Sequence, residues 1–559
     1  MLAIFCGLGI IDLMIVFGAA MVLWESIHRQ LASAATAFFV FGIALQLWRL
    51  EGFSASYDQG LFLQELWSGS QGRWFESTLS AELSAAVILG GALPQLGYLH
   101  ASQHLNLLSQ LWIPLIPMLG IYALPLVQVA LLTAGGLMLF QLARSEGLAS
   151  PIALRLLIAY YCSITVLGPL LENFHDLCPV PLLGFALIWA LRQGRLWPAL
   201  CAALFITFVR GDAGIVSFSI GLWGLLRLQG KKRLLAALVL IWSVIYVALA
   251  TAWLQPLLGA DVNQRFLSEK FGQYLSPGSE ASGTLGLLAA LLKQPQLLLL
   301  ELVSPPVRSL EYLLAPMLPL ALLPLLSLDA WLLIAAPLFM ALAAKGFSAL
   351  ATSLRYVLYL APGVFGGAVL WWRSHPELFG RKWFRQLWTA AISLSLLLAL
   401  SSNPHRSLSA LIPDSIKPWA RAGIQEQWAR REAALTALAL IPADATVAAH
   451  TPLLPRLAMR PVLLRYPYHS DFLNRQGNKT AVDWIALLPR YHRPFLAAFP
   501  EDRDQLLVLQ ARTMQLIDAG AYGVAHCAEG ALLLKRGAPS SAQNLVCAHE
   551  ALAAPNLNL

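Results

Sequence analysis

Residues 231–254 read KKRLLAALVLIWSVIYVALATAWL, three basic side chains followed by an apolar run without a charge. A helix of about 20 apolar residues crosses the hydrocarbon core of a bilayer, because it satisfies its backbone hydrogen bonds internally. Basic residues beside such a run usually stay on the cytoplasmic side. This stretch therefore predicts a transmembrane helix and also its direction.

Similar apolar runs recur throughout the first 402 residues. The chain has 559 residues, 58% of them hydrophobic and only 12% charged, and its mean hydropathy is +0.64. A soluble globular protein carries roughly 25% charged residues, so the composition excludes that class. We expect an α-helical polytopic membrane protein with about twelve transmembrane helices. The predicted spans are 3–24, 31–48, 122–143, 151–171, 177–192, 195–210, 212–228, 234–254, 306–326, 328–345, 353–372 and 386–402.

The basic residues of the short loops indicate the orientation. They fall in alternate connections, at 144–155, 192–195, 227–233 and 373–385, and these connections are predicted to be cytoplasmic. The first loop, 49–121, and everything after residue 402 then lie on the outer side of a bacterial-type inner or plasma membrane. The net charge of +8 forms no basic stripe with interleaved aromatic residues, so nucleic acid is not an expected partner.

After residue 402 the sequence changes to mixed charge, with turn signals and short apolar runs such as ATVAAH and DWIALL. Short strands that alternate with helical stretches predict a small α/β domain over 403–559. Two of the six cysteines, Cys527 and Cys547, lie in this domain. An outer compartment permits a disulfide between them, and two free thiols are the alternative.

Asp58 stands out in the string SASYDQGLFLQELW, residues 54–67, directly after the second predicted span. A carboxylate there can take the proton of a hydroxyl group as its oxygen attacks an activated carbon. The alternative is a helix N-terminal cap in front of the LFLQEL helix. Glu65 lies further along the same helix, either as a second acid or as a solvated partner.

His104 begins the apolar segment 105–121, which contains two prolines. A crossing at this place would invert the charge pattern downstream, so we expect a helix that lies on the outer face. His104 is a candidate to hold a phosphate or a substrate hydroxyl, or it is an ordinary cap.

Polar residues also cluster in two predicted outer turns. The string ENFHDLCP, residues 172–179, holds Glu172, His175 and Asp176, which suit either a metal ion or a hydrogen-bonded turn. The string FVRGDAG, residues 208–214, holds Arg210 and Asp212. The Arg210 guanidinium suits phosphate oxygens, and an internal ion pair with Asp212 or Asp176 is the alternative.

Arg355 and Tyr356 enter a later predicted span from the outer side. They are either a second phosphate contact or an interfacial anchor. Taken together, the polar residues predict one outer cavity with a general base, two histidines and two arginines, as an enzyme acting on a lipid phosphate would need. A transporter or lipid-handling protein without covalent chemistry is the alternative, and a scaffold whose outer domain binds partners is the third hypothesis.

Several strings, in this order, resemble the membrane-protein family called domain of unknown function 2079. They are SYDQGLFLQELW, NFHDLCPVPLL, FVRGDAGIVSFSIGLWGL, RYVLYLAPGVFG, IPADATVAA, LAMRPVLLRYP and DWIALL, and the resemblance covers roughly 53–536. The family is itself similar to the GT-C superfamily of polytopic glycosyltransferases, which implies a GT-C-like transmembrane domain at 1–402.

This resemblance implies a function. A sugar would pass, with inversion, from a polyprenyl-phosphate donor to a glycan, lipid or protein acceptor at the outer face. Asp58 matches the loop acid of the superfamily and His104 its loop histidine, while Arg210 and Arg355 would stabilise the leaving phosphate. Some members of the superfamily need a divalent cation, so the cofactor is left open.

Overall fold

The computed structural model describes residues 2–259, 269–275 and 283–553, and most of them are helical. The α-helices of nine or more residues are α1 Leu2–Glu51, α2 Tyr57–Ser70, α3 Ala123–Ser145, α4 Ser150–Tyr161, α5 Ile164–Glu172, α6 Val180–Gln193, α7 Leu196–Val209, α8 Gly214–Arg227, α9 Gly230–Leu249, α10 Gly283–Lys293, α11 Pro306–Leu314, α12 Leu328–Ala343, α13 Ala361–Ser374, α14 Lys382–Ser401, α15 Ile424–Leu438, α16 Pro500–Asp518 and α17 Ala542–Leu552. This content confirms a helical membrane protein.

Five helical stretches are long and apolar enough to cross a membrane, within the part of the chain that the structure describes. They are Ile27–Glu51, Leu107–Ser145, Ser150–Glu172, Gly230–Leu254 and Lys382–Ser401. Four shorter apolar helices, α6, α7, α8 and α12, accompany them. The figure of about twelve spans stays a prediction.

The prediction of two spans at 3–24 and 31–48 is wrong, because α1 runs through both without a break. Residues 25–30 read ESIHRQ and contain neither Pro nor Gly, so nothing in them ends a helix. A helix of 50 residues is about 75 Å long, more than twice the hydrocarbon thickness of a bilayer. A continuous helix does not reverse its direction, so α1 cannot form two spans that cross the membrane in opposite directions.

The predicted span 306–326 is also not one helix. After α11 the chain continues as two 3₁₀ turns, Ala315–Leu320 and Leu323–Leu326. Between them Ala321 and Leu322 adopt the left-handed conformation, with φ of 53° and 60°. Prolines at 316, 319 and 324 remove backbone donors, which explains the break.

The segment 105–121, predicted as one helix, is irregular. It forms a 3₁₀ helix over Leu107–Leu115 and one α-helical turn over Ile116–Leu119, and Gly120 then breaks the chain direction with a φ of 54°. Pro114 and Pro117 prevent a regular hydrogen-bond ladder. The segment packs against α2, and its place relative to the membrane stays a prediction.

A mixed five-stranded sheet lies in the last third of the chain. Its strands are β1 Val447–His450, β2 Leu463–Tyr466, β3 Trp484–Leu487, β4 Tyr522–Ala528 and β5 Ala531–Arg536, in the spatial order β2-β1-β3-β5-β4. The strands β2, β1 and β3 are parallel, with Val447 opposite both Leu463 and Trp484, and β5 is antiparallel to β3 and β4. β1 and β3 are buried along their whole length, as strands of covered parallel sheets usually are.

The sheet packs directly on the first loop. The Thr78 hydroxyl donates to the Leu463 carbonyl over 2.8 Å, and Gln64 donates to the Arg460 carbonyl over 3.2 Å. At Gly60 in α2 an added Cβ would lie 3.0 Å from the Leu454 side chain, so a larger residue would push the two segments apart by a few tenths of an ångström. These contacts bring the start of α2 next to the carboxyl ends of the parallel strands. The limits of the 403–559 domain, and its side of the membrane, stay predictions.

Candidate functional site

A cavity of about 780 Å³ lies where three regions meet: the start of α2, the loop after α14 and the carboxyl edge of the parallel strands. Its charged and titratable lining comprises the acids Asp58, Glu172, Asp414, Glu501 and Asp502, the arginines Arg406 and Arg465, and the histidines His405, His450 and His492. Acids therefore outnumber arginines. Tyr57 and Tyr491 add aromatic surface. Such a lining offers carboxylate acceptors for the hydroxyl groups of a ligand, and arginine donors for an anionic group.

Asp58 lines this cavity from the first turn of α2. The N-cap position belongs to Ser56, so Asp58 does not itself cap the helix. Its carboxylate accepts a hydrogen bond from Nη1 of Arg355. Both side chains keep about a quarter of their surface exposed, 25% for Asp58 and 22% for Arg355. The pair is oriented and remains open to a ligand.

Arg210 has different surroundings. Its guanidinium donates to both carboxylate oxygens of Asp212, over 2.6 and 2.9 Å, and to the Tyr359 hydroxyl over 2.9 Å. The side chain is 1% exposed and does not line the large cavity. The internal ion pair, one of the two interpretations of this string, is the one observed. Asp212 and Tyr359 thus occupy Nε and Nη2 of Arg210, and its Nη1 lies 3.7 Å from Asp176.

Asp176 belongs to the same buried cluster as Arg210. Its nearest cation is Arg210, with Nη1 at 3.7 Å from Oδ1, and neither carboxylate oxygen completes a hydrogen bond with a described residue. Burial raises the pKa of Asp176 against the pull of Arg210 and Arg355. This carboxylate is the least satisfied polar group of the cluster.

Glu172 and His175 form a close pair next to Asp176. Nε2 of His175 lies 2.7 Å from a Glu172 oxygen, and Nε2 of His405 lies 3.4 Å from the other. Glu172 lines the cavity, whereas His175 is fully buried. Within the described ranges, no group of three or more His, Cys, Asp or Glu side chains is placed to hold a metal ion.

Tyr356 lies between the two arginines. Its ring faces the Arg210 guanidinium at 5.3 Å and the Arg355 guanidinium at 5.5 Å. Both distances are typical of cation–π contacts. Tyr356 thus connects the buried cluster of Arg210 to the exposed pair of Arg355.

Glu65 does not face the cavity as Asp58 does. It is fully buried and accepts hydrogen bonds from Asn106 over 3.1 Å and from Gln110 over 2.8 Å. Burial raises the pKa of Glu65 to about 8, because the two amide donors offset only part of the desolvation. The histidine beside it is His100, with Nε2 at 3.9 Å, and not His104.

His104 meets the ring of His100 edge-on at 5.8 Å and is not part of the cavity lining. His100 also pairs through Nδ1 with the Ser80 hydroxyl at 2.7 Å. His100 is not among the residues predicted from the sequence, although it stands four residues before His104 in the same string. The expectation that two histidines and two arginines of the predicted set surround one cavity is therefore wrong.

The sheet side of the cavity holds residues that the sequence analysis did not single out. Arg406 forms a two-pronged ion pair with Asp502 and lies over the rings of Phe495 and Phe499, at 3.8 and 4.5 Å. Asp502 in turn lies 2.7 Å from Nδ1 of His492. Although burial opposes it, the hydrogen bonds from His492 and Arg406 lower the pKa of Asp502.

One signal for this wall was present in the sequence. The string YHRP, residues 491–494, comes two residues after the strand-like run DWIALL, residues 483–488. Residues just beyond the carboxyl end of a parallel strand often line a site. Elsewhere in this region, Cys527 and Cys547 are joined by a disulfide between β4 and α17.

The comparison with protein families gives one result. Residues 46–533 match the family DUF2079, whose description is "Predicted membrane protein". No curated protein matches the chain.

Proposed function

The chain belongs to the DUF2079 family of predicted membrane proteins, and we propose that it is a membrane glycosyltransferase. In this proposal a sugar passes from a polyprenyl-phosphate donor to an acceptor hydroxyl at the outer face. The observation that carries the proposal is Asp58 at the wall of a cavity of about 780 Å³, with Arg355 hydrogen-bonded to its carboxylate. The pair offers a carboxylate and a guanidinium side by side, and both are accessible.

Asp58 is the proposed general base. It takes the proton of the acceptor hydroxyl while the oxygen of that group attacks the anomeric carbon. The bond from this carbon to the phosphate oxygen breaks on the opposite face, so the configuration inverts. The polyprenyl phosphate leaves with the electron pair of the broken bond.

Arg355 is the proposed phosphate contact, and this revises the role expected for Arg210. A guanidinium has five N–H donors, and Asp58 occupies Nη1 of Arg355. Further donors can meet a phosphate oxygen, on which negative charge increases as the bond breaks. Arg465 is a second cation at the cavity, where its Nε donates to the Thr451 hydroxyl over 3.0 Å.

The excess of acids over arginines in the cavity lining bears on the acceptor. An anionic acceptor would face repulsion from Glu172, Glu501 and the ion-paired Asp502. A neutral sugar hydroxyl meets carboxylate acceptors and two tyrosine rings instead. We therefore propose a neutral carbohydrate acceptor, carried on a glycan, a lipid or a protein.

The test compares cells that express the wild type, Asp58→Asn or the control Asp444→Asn at matched levels. Asp444 is exposed in a turn and is not among the residues that line the cavity. Mass spectrometry of membrane lipids and surface glycans should show, only for Asp58→Asn, an accumulated polyprenyl-phosphate sugar and a glycan that lacks one residue.

Identical profiles for the wild type and Asp58→Asn would contradict the proposal. Saturable substrate flux in proteoliposomes without a covalent product would then favour the transporter hypothesis. The fully buried Glu65 beside His100 would be its first candidate for a proton-carrying group.

A further inference from the structure

Two histidines face each other on the sheet side of the cavity. His450 ends β1, and His492 follows β3, the strand next to it. Their Nε2 atoms are 3.1 Å apart, and the rings have centroids 5.0 Å apart. Both side chains are nearly buried, at 4% and 2% exposed, and both line the cavity.

The two histidines lie at the carboxyl ends of β1 and β3, a position in a sheet where ligands often bind. The chain leaves β1 towards β2 on one side, and it leaves β3 towards β4 on the other. A crevice opens at the carboxyl ends of two parallel strands whose connections diverge in this way. His450 and His492 lie at this crevice.

The other ring nitrogen of His492 determines where its proton lies. Nδ1 is 2.7 Å from Asp502, and Arg406 holds the same carboxylate in a two-pronged ion pair. An ionised carboxylate only accepts hydrogen bonds, so Nδ1 of His492 carries the hydrogen. In neutral His492 the lone pair is then on Nε2 and points at His450.

His450 has two tautomers available, because its Nδ1 completes no hydrogen bond with a described residue, although the Leu488 backbone lies near the ring. With the hydrogen on Nε2, His450 donates to Nε2 of His492 over 3.1 Å. With the hydrogen on Nδ1, both Nε2 atoms carry lone pairs. In this second form a cation beside the line that joins the two Nε2 atoms can accept both lone pairs.

We infer that His450 and His492 bind a divalent transition-metal ion of the Zn²⁺ type through their Nε2 atoms. Zn–N bonds are about 2.0–2.1 Å long, so two tetrahedral nitrogen ligands lie about 3.3 Å apart, close to the observed 3.1 Å. Imidazole suits Zn²⁺, Cu²⁺ and Ni²⁺. The hydrogen bond from His492 to Asp502 is the support that metal-binding histidines usually have.

The site has two protein ligands. As no third His, Cys, Asp or Glu among the described residues completes it, its other positions open to the cavity and take water or a ligand oxygen. Two ligands make a weak site, with an expected affinity in the micromolar range. The inference does not depend on the glycosyltransferase proposal, because its test measures metal binding and not sugar transfer.

The test uses the full-length protein in detergent, with any polyhistidine tag removed and bound metal stripped by a chelator. Calorimetric titration with Zn²⁺ should show one ion per chain, and Co²⁺ should give visible absorption bands of a low-coordinate site. His450→Ala and His492→Ala should each abolish both signals. Asp502→Asn should weaken binding by about 10- to 100-fold, and the exposed His549→Ala should bind as the wild type does.

A second measurement covers variants that fold poorly. Zn²⁺ should raise the thermal midpoint of the wild type and of His549→Ala, but not that of either alanine variant. If the wild type takes up neither metal at about 1 mM, or if both alanine variants bind as it does, the inference is overturned. The two rings would then share a proton as an ordinary hydrogen bond.

Discussion

Arg210 and Arg355 each bind an aspartate, yet the two regions around them differ. The Arg210 region is closed around the arginine: the guanidinium is 1% exposed and meets Asp212, Tyr359 and, more distantly, Asp176, although Asp212 itself is 28% exposed. The Arg355 region is open: both partners are about one-quarter exposed, and Asp58 lines the cavity. The same pair of residue types thus serves the packing of helices in one place and faces a ligand space in the other.

Burial explains the difference in physical terms. A charge removed from water needs partners for nearly all its donors, and removal of one partner leaves the other uncompensated. A pair at a cavity wall keeps part of its hydration, so its partners can be exchanged at small cost. A functional arginine in this protein is therefore recognised by its remaining access to solvent.

The largest expected effect comes from breaking the closed pair. Arg210→Gln should lower the free energy of unfolding by about 3–5 kcal/mol, because Asp176, which is 1% exposed, is left buried without its nearest cation. Arg355→Gln should cost about 1 kcal/mol or less and should still abolish the product of the reaction. Thermal unfolding in detergent and the glycan profile measure the two effects.

Asp212→Asn serves as the matched control for this comparison. It removes the other half of the closed pair and should destabilise the protein to a similar extent. The comparison fails if Arg210→Gln folds as well as Arg355→Gln does and alone changes the glycan profile. In that case the buried arginine would be the functional one.

A smaller effect is expected from the buried acid Glu65. Its pKa is raised to about 8 in the folded state, against 4.5 in the unfolded chain, because it is desolvated. Between these two pH values the folded state keeps a proton that the unfolded state has released, so stability falls as pH rises. Below 4.5 both states are protonated and the effect vanishes.

Between pH 5 and pH 8.5 Glu65 should lower the free energy of unfolding by up to about a few kcal/mol. Glu65→Gln removes this contribution, so the thermal midpoint of the variant should decline less steeply over the same pH range. Glu82, whose pKa burial also raises to about 8, should contribute a second part of the decline. The exposed Glu432→Gln is the control and should leave the curve unchanged. An equally steep decline in Glu65→Gln would show that this acid is ionised in the folded protein.

Whether a contact can be predicted from the sequence depends on how far apart its two residues lie along the chain. Apolar runs predict the membrane helices, because the hydrophobicity of one continuous segment is enough to place that segment in the bilayer. The sequence predicts the Arg210–Asp212 ion pair as one of two interpretations, because the two residues are only two positions apart. The Asp58–Arg355 pair spans 297 positions, and His450 and His492 span 42. The contact between the start of α2 and the 3₁₀ turn Arg355–Tyr359 joins the first pair, and the parallel pairing of β1 with β3 brings the two histidines together.

The two wrong span predictions have a similar cause. Hydropathy reports that a run is apolar, but it does not report where a helix ends. At residues 25–30 no residue breaks the helix, so α1 continues, whereas prolines divide 306–326. Helix ends follow from local backbone chemistry, which the apolar periodicity does not contain.

The smallest expected effect extends the same comparison to an ion pair whose cation is mostly exposed. Nζ of Lys479 lies 3.3 Å from Asp471, and the lysine is 67% exposed. Lys479→Met should change the free energy of unfolding by less than about 1 kcal/mol, because water and salt screen the pair. Its small effect should shrink further between 50 and 500 mM salt, while that of Arg210→Gln should not. If the Lys479 and Arg210 variants responded equally to salt, burial would not be what separates the closed region from the open one.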